Sequence, residues 1–336
     1  MHEKEVSKAR IFELKERVFE TFSDVAYKFK VWEVGFSGGK DSTTLLHLLV
    51  EYLLERYGPK PNAVYIIFED TLLEYPRTYD WVYRVLDSLS NSNIGDITTL
   101  TIIEKTPRLN ESFFVQMIEQ GYPPPHFRFR WCTRVLKLKP MREVINWIKA
   151  KHGSQVLMVT AERKEESNER SRVMKKRTRN TNRRTMLMPI QEWTTEEVLS
   201  FLKHEKQPWT DYSRDYRELL HLYFVDEGLY RNVRYGCWCC TVIKHDKSLE
   251  LWANIRSDKC AKKALEIKRK ILEVGRDVRY RVRGYGTRLN TEGRKRVAEI
   301  VKEALEEAPY LFKSYFRHAS HLEKTKRTIK SVLKYL

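Results

Sequence analysis

Val31-Trp32-Glu33-Val34-Gly35-Phe36 is a short apolar run, and Ser37-Gly38-Gly39-Lys40-Asp41-Ser42 follows it without a break. Behind these comes Thr43-Thr44-Leu45-Leu46-His47-Leu48-Leu49-Val50, apolar at helical spacing. Strand, glycine turn and helix N-terminus in this order form an anion cradle, because the first N–H groups of the helix have no partner within it. Gly38 and Gly39 allow close backbone approach and positive φ, which a Cβ would block. Lys40 adds a full positive charge, Ser37 and Ser42 add hydroxyls, and Asp41 is a candidate magnesium ligand. The alternative, a glycine turn that merely contains a lysine, leaves the order of these six residues unexplained. The spacing is not that of a Walker A loop.

Around this stretch, strands and helices alternate. An amphipathic helix is expected over residues 3–29, and a buried strand at Ala63–Phe68 leads into Glu69-Asp70-Thr71. Helix 77–90, strand 98–103, helix 140–151, strand 155–160 and a further strand at 186–190 continue the pattern. Such alternation predicts a doubly wound, mostly parallel α/β domain spanning residues 1–190. Asp70 and Thr71 then fall on the carboxyl edge of the sheet, where ligands bind. Beyond residue 190 the pattern turns helical (194–204, 213–224, 247–256, 259–274, 291–306 and 320–335), which predicts a smaller helical domain over 191–336.

The chain of 336 residues carries 63 Lys and Arg against 45 Asp and Glu, a net charge of +18, which favours a polyanionic partner. A hydrophobic content of 41% excludes a disordered tail. No apolar run reaches the ~18 residues needed to span a bilayer, and the N-terminus lacks a signal-peptide core. The expectation is a cytoplasmic protein with no membrane association.

Three further stretches carry chemistry. Gly121-Tyr122-Pro123-Pro124-Pro125-His126-Phe127-Arg128-Phe129-Arg130-Trp131-Cys132-Thr133-Arg134 is expected to be non-helical on account of its prolines, and it presents aromatics, arginines and one thiol together. After the strand at 155–160 comes Ala161-Glu162-Arg163, with Arg163 a candidate to hold a phosphate by bidentate bonding. Arg170, Arg172, Lys175, Lys176, Arg177, Arg179, Arg183 and Arg184 follow with no acid among them, a pattern suited to a nucleic-acid backbone or simply to a solvated face. Finally, Cys237-x2-Cys240 is a chelating pair. Cys132 and Cys260 complete a set of four, and Cys239 is left as a spare or as a sulfur carrier. Four thiolates suit tetrahedral zinc and a [4Fe-4S] cluster alike.

Ser37–Ser42 resembles the PP-loop of the ATP pyrophosphatase superfamily, whose members split ATP between its α and β phosphates. Glu69–Pro76, Gly121-Tyr122-Pro123, Phe129-Arg130-Trp131-Cys132-Thr133, Arg163 with Glu166-Ser167, and Gly236-Cys237-Trp238-x-Cys240-Thr241-Val242 extend the likeness. Taken in this order they resemble the C proteins of Dnd DNA phosphorothioation systems, in the PAPS reductase-like branch of that superfamily. Ala161-Glu162-Arg163 stands where that family has Gly-x-Arg, and Cys239 is additional. The resemblance implies ATP and Mg2+ at Ser37, Gly38, Gly39, Lys40, Asp41, Ser42, Asp70 and Thr71, with Lys40, Asp41, Cys132 and Arg163 in catalytic roles. It further implies a [4Fe-4S] cluster on Cys132, Cys237, Cys240 and Cys260, and sulfur transfer to DNA, with tRNA the lesser alternative acceptor. A cysteine desulfurase and other phosphorothioation proteins are the implied partners. A PAPS or APS reductase shares the scaffold, but those enzymes carry a catalytic cysteine near the C-terminus, and no cysteine follows Cys260. An iron–sulfur tRNA thiolase and a non-catalytic zinc protein are the other readings of the same residues.

Overall fold

The computed structural model describes residues 6–55, 58–153, 155–166, 186–230, 233, 235–243, 245–282 and 288–334. The basic run from Arg170 to Arg184, and Ser167 before it, lie outside them. Five strands, β1 (Val31–Phe36), β2 (Ala63–Glu69), β3 (Thr99–Lys105), β4 (Val156–Val159) and β5 (Met186–Leu187), form one sheet in the order β3-β2-β1-β4-β5. Seven helices accompany them through residue 222: α1 (Lys8–Ala26), α2 (Lys40–Leu54), α3 (Pro76–Ser90), α4 (Phe113–Gln120), α5 (Lys139–His152), α6 (Thr195–His204) and α7 (Arg217–Leu222). α8 (Lys247–Asn254), α9 (Lys259–Arg276), α10 (Thr291–Glu307), α11 (Lys313–Arg317) and α12 (Ala319–Lys334) complete the chain.

β1 pairs in parallel with β2 (Val31 opposite Ala63, Phe36 opposite Phe68) and with β4, and β4 pairs in parallel with β5. Val, Ile and aromatic side chains bury these strands on both faces, as a parallel sheet requires. Trp32 stacks on Tyr52 of α2, with ring centroids 6.2 Å apart, and tilts against Phe22 of α1 at 5.3 Å. Phe68, on that same face by register, meets Tyr83 of α3 edge-on at 6.1 Å. Tyr65 points the other way, to Trp147 and His152 of α5. Helices therefore cover both faces, and the α/β architecture is the one the alternation predicts. Each fully buried ring contributes about 1.5–3 kcal/mol.

Two compact units share the chain. The first comprises Met1–Glu69, Asp80–Glu104 and Val144–Gly228, and the second Asp70–Tyr79, Lys105–Glu143 and Leu229–Leu336. The single boundary expected near residue 190 does not describe this division. The connections that leave the carboxyl ends of β2 and β3 belong with the C-terminal helices, while 191–228 stays with the sheet. A unit assembled from three separated stretches leaves no compositional break to read.

In the first unit, α6 opens with a full capping box between Thr194 and Glu197. Beneath α2, His47 is fully buried, with its Nδ1 2.7 Å from the Tyr216 hydroxyl and its Nε2 3.2 Å from Glu51. His47, Glu51 and Glu205 are grouped closely enough to hold a metal, but the Lys15 ammonium lies 2.7 Å from Glu51 and 3.4 Å from Glu205 and fills the cation's place. In the second unit, Asp246, Asp258 and Asn290 cap α8, α9 and α10. Phe114 of α4 packs on Trp238, Phe312 and Tyr315 to form the aromatic core. No described helix is long and apolar enough to cross a membrane.

Candidate active site

The loop between β1 and α2 is built as the residues suggest. Gly38 has φ +73°, and a Cβ there would lie 2.2 Å from Val82 Cγ2 of α3, so only glycine fits. Gly39 caps α2 in extended geometry and offers no side chain to the first-turn amides. The hydroxyl of Tyr223 takes that part, accepting the Lys40 N–H at 3.3 Å. Burial, with Asp41 adding to it, pushes the Tyr223 phenol well above its usual range, so it stays protonated. Ser42 Oγ accepts the Ser37 N–H at 3.2 Å and donates to the Gly39 carbonyl at 3.0 Å, which closes the turn. Ser37 itself is exposed, with its Oγ 3.0 Å from that of Ser42. The result is a preformed cradle of backbone N–H groups with Lys40 beside it.

Asp41 and Arg163 meet here. Lys40 Nζ donates to Asp41 Oδ2 at 2.7 Å, and Arg163 Nε donates to Oδ1 at 2.7 Å. With a cation on each oxygen, Asp41 is placed as a counter-ion and not as an open magnesium ligand. Arg163 is 1% exposed, and its guanidinium also donates to Glu165 (3.1 Å), the Trp193 carbonyl (2.9 Å) and Thr195 Oγ1 (3.2 Å). Glu165 is buried enough to favour its acid form, yet the Thr195 amide and hydroxyl and Arg163 hold its carboxyl below the usual range. Arg163 is thus a strut that fixes Asp41, in place of the phosphate clamp expected of it. Tyr223 and Val82 carry no motif, and the sequence offered no signal for either.

Asp70 and Thr71 belong to the second unit and are fully buried. Asp70 Oδ1 accepts the Tyr79 hydroxyl at 2.5 Å and the Leu72 N–H at 2.7 Å, and its Oδ2 accepts from the Ser314 hydroxyl, with His318 Nε2 3.4 Å away. It pins a turn in which Leu72 has φ +69°. These contacts occupy the carboxylate that the sequence reading offers to nucleotide. Asp70→Ala would leave buried hydroxyls and an amide unpaired, and is expected to cost about 3 kcal/mol in a urea unfolding series. A variant as stable as the parent chain would show that the network does not anchor the turn.

All five cysteines lie in the second unit and are free. Trp131 and Cys132 already belong to a helix, and Thr133–Leu138 continues it as a π-helical turn into α5, so the expected non-helical segment ends at Arg130. The prolines at 123–125 restrict only what lies beside them. Cys237 pairs across an isolated bridge with Glu74, has Thr71 Oγ1 3.5 Å from its sulfur, and turns back through the Cys240 N–H to its own carbonyl at 3.0 Å. Burial, then the Glu74 charge, pushes the Cys237 thiol far up, and burial and the Cys240 charge raise Cys132. Cys239 is fully buried and is raised by burial and by the charges of Cys237, Cys240 and Cys132. Cys260 is pushed up to about 12 by burial and then Asp258, and its other partners are Tyr75 and Arg77. The structure therefore gathers Cys132, Cys237, Cys239 and Cys240 but does not carry Cys260 into that group. The nineteen residues after Cys240 include α8 and leave Cys260 at the start of α9.

Soft thiolates fit either zinc or an iron–sulfur group by chemistry. Around tetrahedral zinc, at Zn–S of about 2.3 Å, sulfurs stand about 3.8 Å apart. Among the described residues no three cysteine sulfurs lie within 4.8 Å of one another, a wider spacing that suits a larger cluster.

A five-stranded sheet with a glycine anion loop between its first strand and helix defines an α/β domain of the PP-loop type. The chain belongs to the phosphoadenosine phosphosulfate reductase domain family, whose model matches residues 33–243. It is 30% identical over 179 residues to an uncharacterized protein of Methanocaldococcus jannaschii, a match covering 52% of this chain and 32% of that protein. The chain thus spans about a third of the length of that curated relative. It is also similar to a U34-tRNA thiolase of Methanococcus maripaludis solved with its [4Fe-4S] cluster, at 18% identity and a TM-score of 0.38, over 68% of this chain and 79% of that one.

Proposed function

We propose that the chain is an ATP-dependent sulfurtransferase that activates a nucleic-acid oxygen, that of the DNA backbone first, with release of pyrophosphate. The observation that carries this reading is the Ser37–Ser42 cradle, whose Gly38 admits no side chain and whose Lys40 stands at its mouth. An acceptor oxygen attacks the α-phosphorus of ATP, the bond to the bridging oxygen breaks, and pyrophosphate leaves into the cradle. Charge developing on the leaving group meets fixed N–H dipoles and Lys40, which turns from Asp41 toward it. A sulfur nucleophile supplied by a cysteine desulfurase then displaces AMP. Cys132, Cys237 and Cys240 would hold a [4Fe-4S] group, which would supply iron that binds sulfur. No magnesium step is derived, because both Asp41 oxygens are engaged.

Lys40→Ala is expected to lower nucleic-acid-dependent pyrophosphate release about 100-fold, the usual effect of removing one preorganised donor. Unchanged release would place the triphosphate elsewhere. The family match favours a second reading, reduction of an adenylyl sulfate. Thioredoxin-dependent sulfite release, with no sulfur found in DNA or tRNA by mass spectrometry, would establish it instead.

A further inference from the structure

Phe127 is 81% exposed, the most exposed aromatic among the described residues apart from none of its own neighbours: Phe129 is half-buried and Trp131 buried. It sits with Arg128 at the tip of a two-residue hairpin closed by His126 and Phe129, where the Phe129 N–H donates to the His126 carbonyl at 2.8 Å. The stem of that hairpin is rigid. Trp131 stacks on Tyr122 at 5.1 Å and on Phe113 at 5.3 Å, and its indole N–H donates to the Pro123 carbonyl at 2.8 Å. Thr241, just past the cysteine pair, donates its hydroxyl to the Pro125 carbonyl at 2.7 Å. A single exposed apolar side chain is ordinary on a protein surface. A ring held outward on a fixed tip between two free cations is a different matter.

Arg128 and Arg130 are both exposed, and neither forms an ion pair among the described residues. Arg130 also acts on the Cys132 sulfur, where its charge opposes the effect of burial. We propose that Phe127 is a stacking platform for one unpaired base of a nucleic-acid strand, with Arg128 and Arg130 holding the flanking phosphates beside Cys132. The chemistry is that of single-strand recognition, in which an aromatic face takes any base and arginines follow the backbone. Within a duplex both faces of a base are covered by its neighbours, so the ring reaches only a base that is unpaired or turned out. This surface rests on the nucleic-acid acceptor of the proposed function and names where that acceptor is gripped.

The test uses the full chain and fluorescence anisotropy of short labelled oligonucleotides: single-stranded DNA, single-stranded RNA of the same sequence, and blunt DNA duplex. Phe127→Ala is expected to weaken single-strand binding about 10-fold, and Phe127→Trp to retain it. Arg128→Gln and Arg130→Gln should each lower the slope of log affinity against log salt by about one. Iron content and thermal midpoint of the Phe127 variants should match the parent chain. Whichever sugar binds tighter identifies the source of the strand, and loss in Phe127→Ala supports the platform in either case. Unchanged binding by Phe127→Ala, or an equal loss on duplex, overturns the platform and leaves the nucleic-acid acceptor standing. A parent chain that binds none of the three ends both.

Discussion

Gly38→Ala is expected to abolish pyrophosphate release and to cost about 2–5 kcal/mol of stability. Two separate terms add. A φ of +73° is a left-handed conformation that costs a residue with a Cβ about 1–2 kcal/mol. The new methyl would also sit 2.2 Å from Cγ2 of Val82, which is fully buried in α3, and overpacking of this kind costs about 1–3 kcal/mol. The loop can escape the clash only by opening, and a displacement of about 1 Å in a positioned group can lower a rate 100-fold. The terms separate in a double-mutant cycle. Val82→Ala in the Gly38→Ala background removes the clash but not the backbone strain, so stability should return in part while turnover stays low. Full turnover in Gly38→Ala alone would mean that the cradle does not bind the triphosphate.

Anaerobically purified protein is expected to be brown, and Cys237→Ser, Cys240→Ser or Cys132→Ser should strip most of its iron and acid-labile sulfide. Cys260→Ser and Cys239→Ser should keep both. The reasoning is electrostatic and geometric. The charges that act on Cys260 are those of Asp258 and Arg77, while Cys132, Cys237 and Cys240 act on one another through Cys239 and directly. A serine hydroxyl is a far poorer ligand for iron than a thiolate, so loss at a true ligand should be nearly complete. If Cys260→Ser loses iron as fully as Cys237→Ser, Cys260 is the fourth ligand and the grouping described above is wrong. Colourless protein with one zinc would remove the iron–sulfur assignment altogether.

The loop was legible because six residue types with distinct physical duties stand in one order between a strand and a helix. What surrounds it was not. Arg163 was visible as a charge at a strand end, but its burial depends on Trp193 and Thr195, thirty residues on, and no local pattern announces that pairing. Tyr223 lies in an apolar helical stretch and looks like core until its hydroxyl is found on the Lys40 amide. Asp70 was read as a ligand because carboxyl ends of strands face the binding edge, yet tertiary contacts to Tyr79 and Ser314 claim it. The helix Phe113–Gln120 went unread, being short and apolar nearly all round, and the last strand proved to be two residues long. Caps show the opposite case: Asp246, Asp258 and Asn290 mark helix starts that the helical spacing after residue 190 already suggested.

The π-helical turn at Thr133–Leu138 has a consequence for how the chain tolerates change. Such a turn holds one residue more than ordinary helix geometry needs, so it works as a phase shifter between Trp131-Cys132 and α5. Losing a single residue there would let the backbone relax to regular winding while swinging the thiol about 100° around the axis. Insertions and deletions across that short window are therefore aiming errors for Cys132, whatever their effect on the helix itself.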